Sequence, residues 1–168
     1  MLRSAGRLGE ARDQADSAVT IREAQVEADP KKRGDRGALA ESYLNRGLAR
    51  RALGDIAGAA ADVRRALELR GRPSGANWEC FSTACYLAAL SGLAGRAGSG
   101  VSAAEGVTAA EAAMALLRKA IEMGYRDVNS LHTEDALDPL RGREDFRLLM
   151  MDLEFPPEPF ALDTGSHR

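Results

Sequence analysis

Cysteine, histidine, lysine and aromatic side chains are all sparse in this chain, and each shortage narrows what the protein can do. Cys80 and Cys85 are the only cysteines. Five residues apart on a helix, they project about 140° apart around its axis, a poor arrangement for a shared metal or a disulfide. They read as small buried hydrophobes. Lysine occurs only at Lys31, Lys32 and Lys119, and the many arginines are spread among acids. With a net charge of −2, no global bias toward nucleic acid or an anionic membrane results. Aromatic residues make up 5% of the chain, and alanine supplies much of the apolar content. That favours helices packed through small side chains over a sandwich of alternating β-branched residues. No apolar run is long enough to span a membrane, and Met1-Leu2-Arg3-Ser4 does not begin a signal peptide, so a cytoplasmic location is expected.

What the chain does contain is an internal repeat. Three alanine pairs share a spacing of seven, Ala11/Ala18, Ala59/Ala66 and Ala113/Ala120, each on an apolar stripe of helical period. The stripes are Ala11, Ala15, Ala18, Val19, then Ala59, Val63, Ala66, Leu67, then Ala113, Leu117, Ala120, Ile121. Ahead of the middle stripe, Ala40, Tyr43, Leu44, Gly47 and Leu48 define the buried face of a partner helix. Leu53-Gly54-Asp55 closes that helix, with Gly54 suited to a left-handed C′ position, and a second helix runs from Ile56 to about Leu69 before Gly71 and Pro73 stop it. Gly47, costly inside a helix, implies that another backbone passes close by.

These residues resemble the tetratricopeptide repeat, a helical hairpin of about 34 residues. Tyr43, Gly47, Ala59 and Ala66 match its aromatic and small-residue positions, while Arg50 stands where tyrosine is usual and the closing proline is displaced to Pro73. A later copy begins near Asn77 with Trp78, Phe81, Ala84, Leu87 and Ala88, and its second helix carries Ala113. Between its helices, Gly95-Arg96-Ala97-Gly98-Ser99-Gly100 reads as a flexible insertion. Gly6 and Ala11 match Gly54 and Ala59, so the chain is expected to begin inside a repeat. The implied fold is an all-α superhelix. Its expected parts are an incomplete repeat at 1–36, a complete one at 37–73, one with an insertion near 95–108 at 74–126, a helical cap at 127–155 and a disordered tail at 156–168. The segment Met123-Gly124-Tyr125-Arg126-Asp127, with Asp138-Pro139-Leu140-Arg141 and Asp145-Phe146, resembles the C-terminal end of repeat regions in large bacterial Ser/Thr protein kinases.

Catalytic machinery is not legible. The chain lacks the Gly-rich loop, the Val-Ala-Ile-Lys, the His-Arg-Asp and the Asp-Phe-Gly of a kinase. Gly95 and Gly100 have the spacing of a phosphate loop, but Val101-Ser102 follows in place of Lys-Ser/Thr. His132 beside Glu134 and Asp135 reads as capping and solvated charge, with Thr133 and Asp135 as helix-starting residues. Lys31-Lys32-Arg33 and Arg36, spanning Arg33-Gly34-Asp35, read as a solvated loop between helices, and Arg64 reads as an exposed charge.

By resemblance, the first helices of successive repeats line a groove that takes a peptide. Glu41, Leu44, Asn45, Leu48 and Ala52 would face it from one repeat, and Trp78, Phe81, Ser82 and Cys85 from the next. The expected role is a scaffold that binds a protein or peptide partner, with no cofactor, metal, nucleic acid or membrane. It would form the regulatory C-terminal part of a kinase signalling protein. A stand-alone adaptor, or a small enzyme with its site in the Gly-rich insertion, is the alternative. The N-terminal helix, about Glu10 to Ala28, is expected to turn its stripe toward a preceding helix and to support a weak homodimer.

Overall fold

The computed structural model describes residues 2–154, so the tail read at 156–168 and residue 155 of the cap lie outside the described residues. Among the described residues all regular structure is helical. The order is α1 (Leu2–Ala28), α2 (Arg33–Leu53), α3 (Ile56–Arg70), α4 (Asn77–Ser91), α5 (Ala103–Glu122), α6 (Val128–Thr133), a 3₁₀ turn (Asp135–Leu137), α7 (Asp138–Arg141) and α8 (Glu144–Glu154). None of these helices is long and apolar enough to cross a membrane. The principal packings are α1 on α2, α2 on α3 and α4 on α5, with a thinner junction between α3 and α4.

The α2–α3 hairpin follows from its local chemistry. Gly54, at φ 87°, ends α2, with the Asp55 amide donating to the Arg50 carbonyl at 2.9 Å and the Gly54 amide to Arg51 at 3.1 Å. The Asp55 carboxylate then caps α3 by accepting from the Gly58 amide at 2.9 Å. Ala59 and Ala66 are wholly buried. A Cβ on Gly47 would lie 3.2 Å from Val63 Cγ2 and 3.3 Å from the Ala59 carbonyl oxygen. The repeat's small residues therefore mark the line where the two backbones approach.

α2 starts at Arg33, ahead of the expected boundary at 37, and Arg33-Gly34-Asp35 forms its first turn instead of a loop. α1 also differs from expectation. It begins at Leu2, and its stripe is covered by α2, the helix that follows it, instead of facing a preceding one. Val19 is buried, Ala15 and Ala18 are half-buried and Ala11 is exposed. Arg22 ties the two helices by donating to the Ala38 carbonyl at 2.6 Å and to Ser42 Oγ at 2.5 Å, and Tyr43 donates to Glu23. Ile21 remains as a large exposed apolar side chain on α1.

A charged cluster joins all three helices. The Asp62 carboxylate, buried on α3, accepts from Arg46 at 2.9 and 2.7 Å and from Arg50 at 2.9 Å. Asp16 of α1 adds contacts to the same arginines at 3.2 and 3.7 Å. The hydrogen bonds to Asp62 hold the Arg46 guanidinium above its ordinary pKa, against the opposing effect of burial. Arg50 is thus the second clamp on a buried carboxylate.

The Gly-rich segment is shorter and better anchored than expected. Of residues 95–108, the last six already belong to α5, which Ser102 caps through the Glu105 amide at 3.1 Å. A Cβ on Gly106 would come within 2.2 Å of Ala94 Cβ, so α5 lies directly on the turn after α4. Ser99 and Val101 are buried, and the Gly95 amide donates to the Val101 carbonyl at 3.1 Å. Arg64 of α3 binds the turn through the Gly100 carbonyl at 2.9 Å and Glu105 at 3.1 Å. Arg64 is thus a strut between α3 and the start of α5. We expect Arg64→Ala to cost about 1–2 kcal/mol, more than an exposed substitution usually does. A loss below about 0.3 kcal/mol in urea titration would remove this role.

The cap packs on α4 through the 3₁₀ turn and α7, burying Leu131, Ala136, Leu137 and Leu140. Its helix starts are set by other residues than Thr133 and Asp135. Asp127 caps α6 through the Ser130 amide at 3.0 Å, and Glu134 caps the 3₁₀ turn. Thr133 is the last residue of α6, its hydroxyl bonded back to the Asn129 carbonyl, while Asp135 is the first residue inside the 3₁₀ turn.

Candidate peptide-binding cleft

α2 and α4 scarcely touch each other, although each is the first helix of a hairpin. A cleft of about 930 Å³ lies between them, lined also by the residues that follow α3 and by Glu134 of the cap. Seven of the expected groove residues line it: Glu41, Leu44 and Asn45 from α2, and Trp78, Phe81, Ser82 and Cys85 from α4. Their spacing along each helix repeats by three and four, which brings them to one face. Two expected residues lie elsewhere. Leu48 is half-buried against the hydrophobic core, and Ala52 is exposed at the end of α2.

The lining is chemically graded. Leu44, Cys85 and Tyr86 are buried. Burial, with the Glu134 charge adding to it, pushes the Cys85 thiol well above its usual range, so it stays protonated and is no nucleophile. Burial likewise raises the Tyr86 phenol to about 12. Phe81 stacks on Tyr125 with ring centroids 4.5 Å apart and planes 15° apart, so one face of its ring serves the fold and the rest the cleft. Trp78 is 54% exposed, a large amphipathic surface at the mouth.

Comparison with family models, curated proteins and solved structures gives no match to this chain. The cleft therefore has to be read from its own residues.

Several of these were not legible as site residues. Arg70 is the last residue of α3, and its guanidinium lies over the Trp78 ring with Cζ 4.7 Å from the centroid. Arg36 and Arg72 also line the cleft, as do Glu79 and Tyr86. Glu79 is engaged locally, accepting from the Ser74 amide at 2.6 Å. In the sequence, Arg70-Gly71-Arg72-Pro73 carries only a helix-stop signal. The sole available pointer was that a basic pair sits where the chain crosses from one hairpin to the next.

The other chemical candidates do not converge. His132 Nε2 lies 2.5 Å from Glu154 Oε1 on the cap, away from the cleft lining. Among the described residues no group of three or more His, Cys, Asp or Glu side chains is placed to hold a metal ion. In the Gly-rich turn, the Ser99 and Gly100 carbonyls meet the Arg64 guanidinium, a polarity opposite to a phosphate-cradling row of amides.

Proposed function

We propose that this chain is an interaction module of the tetratricopeptide type that binds a peptide segment of a partner protein in the cleft between α2 and α4. One observation carries this reading: seven residues assigned to a groove from repeat spacing line a single open cleft. The cleft has the make-up of a recognition surface, with a buried apolar floor at Leu44 and Tyr86, an exposed tryptophan at its mouth and polar groups from Asn45 and Ser82. The setting we infer for the module, from the likeness of its C-terminal segment, is regulation beside a bacterial Ser/Thr kinase.

Trp78 is the chain's single tryptophan, so its emission reports on the cleft directly. Peptides selected from a random dodecapeptide display library should shift that emission on titration. Asn45→Arg, at an exposed position of the cleft wall, should weaken them at least about tenfold while leaving thermal unfolding unchanged. Selected peptides that bind the N45R protein as tightly as the parent would place binding elsewhere and defeat the proposal.

A further inference from the structure

Most arginines whose side chains pack in this fold are committed to carboxylates. Arg46 and Arg50 clamp Asp62, Arg64 meets Glu105, Arg141 meets Asp138 and Arg143 meets Asp145. Arg70 is one of the half-buried arginines without such a partner, as are Arg22 and Arg51, and it shares the cleft with the exposed Arg36 and Arg72. Among the described residues none forms an ion pair with Arg36, Arg70 or Arg72. Arg70 goes further, because its Nη2 is buried with no hydrogen-bond partner. A buried guanidinium nitrogen left without an acceptor is costly, and native structures rarely keep one without a reason.

The three groups line the same cleft. Arg70 ends α3 and Arg72 lies two residues on, and Gly37, the neighbour of Arg36, approaches so closely that a Cβ there would lie 3.3 Å from Arg70 Nη1. Any larger residue at 37 would crowd the guanidinium. Trp78 supports Arg70 from the other side and holds its planar fork in place. Glu41, Glu79 and Glu134 share the cleft and offset part of its positive charge. Glu79 is bonded to Ser74, Glu134 accepts from the Ala136 amide, and Glu41 stands one helical turn beyond Gly37.

We propose that the cleft at Arg36, Arg70 and Arg72 binds the phosphate monoester of a phosphorylated serine or threonine in the partner segment. The inference rests on the cleft reading above and deepens it. A carboxylate is satisfied by one guanidinium through two parallel hydrogen bonds. Three guanidiniums around one cavity supply more charge and more donors than that. They match a phosphate monoester, which carries close to two negative charges and three strong acceptor oxygens near neutral pH. The peptide would set its phosphorylated side chain against Arg70 and run its apolar residues along Leu44 and Phe81.

The probes are three degenerate nonapeptide mixtures, identical except for a fixed central phosphoserine, serine or glutamate, together with inorganic phosphate alone. Each is titrated against the full chain with Trp78 emission as the signal. The phosphoserine mixture should reach half-saturation at a concentration about tenfold or more below the serine mixture. Arg36→Gln and Arg72→Gln, both at exposed positions, should each shrink that difference, and the double variant should erase it. Equal half-saturation for the phosphoserine and serine mixtures would overturn the phosphate assignment while sparing the cleft. A glutamate mixture as tight as phosphoserine would overturn it in favour of a plain acidic peptide. Inorganic phosphate matching the phosphoserine mixture would overturn it as a feature of a peptide site. If no mixture moves the emission at all, the cleft reading itself falls.

Discussion

Ala59→Glu is expected to cost about 4–6 kcal/mol and to lower the thermal midpoint by roughly 10–20 °C. Ala59 has no exposed surface, and its carbonyl lies 3.3 Å from where a Cβ on Gly47 would sit. A glutamate side chain there has no volume to enter without separating α2 from α3. Once forced in, its carboxylate has no assigned partner and must be buried as a charge or protonated. A loss of this size rivals the whole stability of an ordinary domain, so the variant should be partly unfolded at 37 °C. Far-UV circular dichroism on heating checks it, with Arg65→Ala as the control. Arg65 is about half exposed, with Glu68 as its ion-pair partner and Tyr43 nearby, so its removal should cost about 0.5 kcal/mol or less. Equal shifts for the two variants would mean that the packed face of α3 is wrongly assigned.

The second large effect is expected at Asp62, for the opposite reason. Here the buried group is charged and fully answered, and removing it strands its partners. Asp62→Ala leaves Arg46 and Arg50 with only the partly exposed Asp16 as a common partner, in an environment where Asp62 itself is only 4% exposed. Breaking one side of such a pair costs about 3–5 kcal/mol, whereas an apolar replacement of the entire cluster can be neutral. Asp16→Ala is the informative comparison. Asp16 touches the same two arginines, but its side chain is 42% exposed, so its loss should cost about 1 kcal/mol or less. Urea unfolding of the two single variants and of Arg46→Met/Asp62→Leu measures both claims. An Asp62→Ala cost below about 1 kcal/mol would show that the cluster does not hold the hairpin together.

These two sites also show why some features were legible before the structure and others were not. Ala59, Ala66 and Gly47 announce themselves because close helix packing admits only small side chains, and the helical period puts them on one line. The end of α2 at Gly54 is equally local, since a left-handed backbone position and one aspartate cap specify it. Asp62 gave no such signal. An acid between Ala61 and Val63 reads as surface until Arg46 and Arg50 are seen to converge on it from another helix. Arg64 was misread for the same reason, because its partners Gly100 and Glu105 lie in the next hairpin.

By itself, the sequence determined the helical class, the hairpin at α2 and α3 and most of the cleft wall. All three depend on periodicity, capping and residue size within a few turns of chain. Tertiary structure alone decided which partner covered α1 and how the Gly-rich turn was anchored. It also decided that Arg36, Arg70 and Arg72 would meet in one cleft with no ion pair among the described residues. Contacts of that kind depend on the angle between hairpins, which arises from the packing of many side chains at once and leaves no spacing to read.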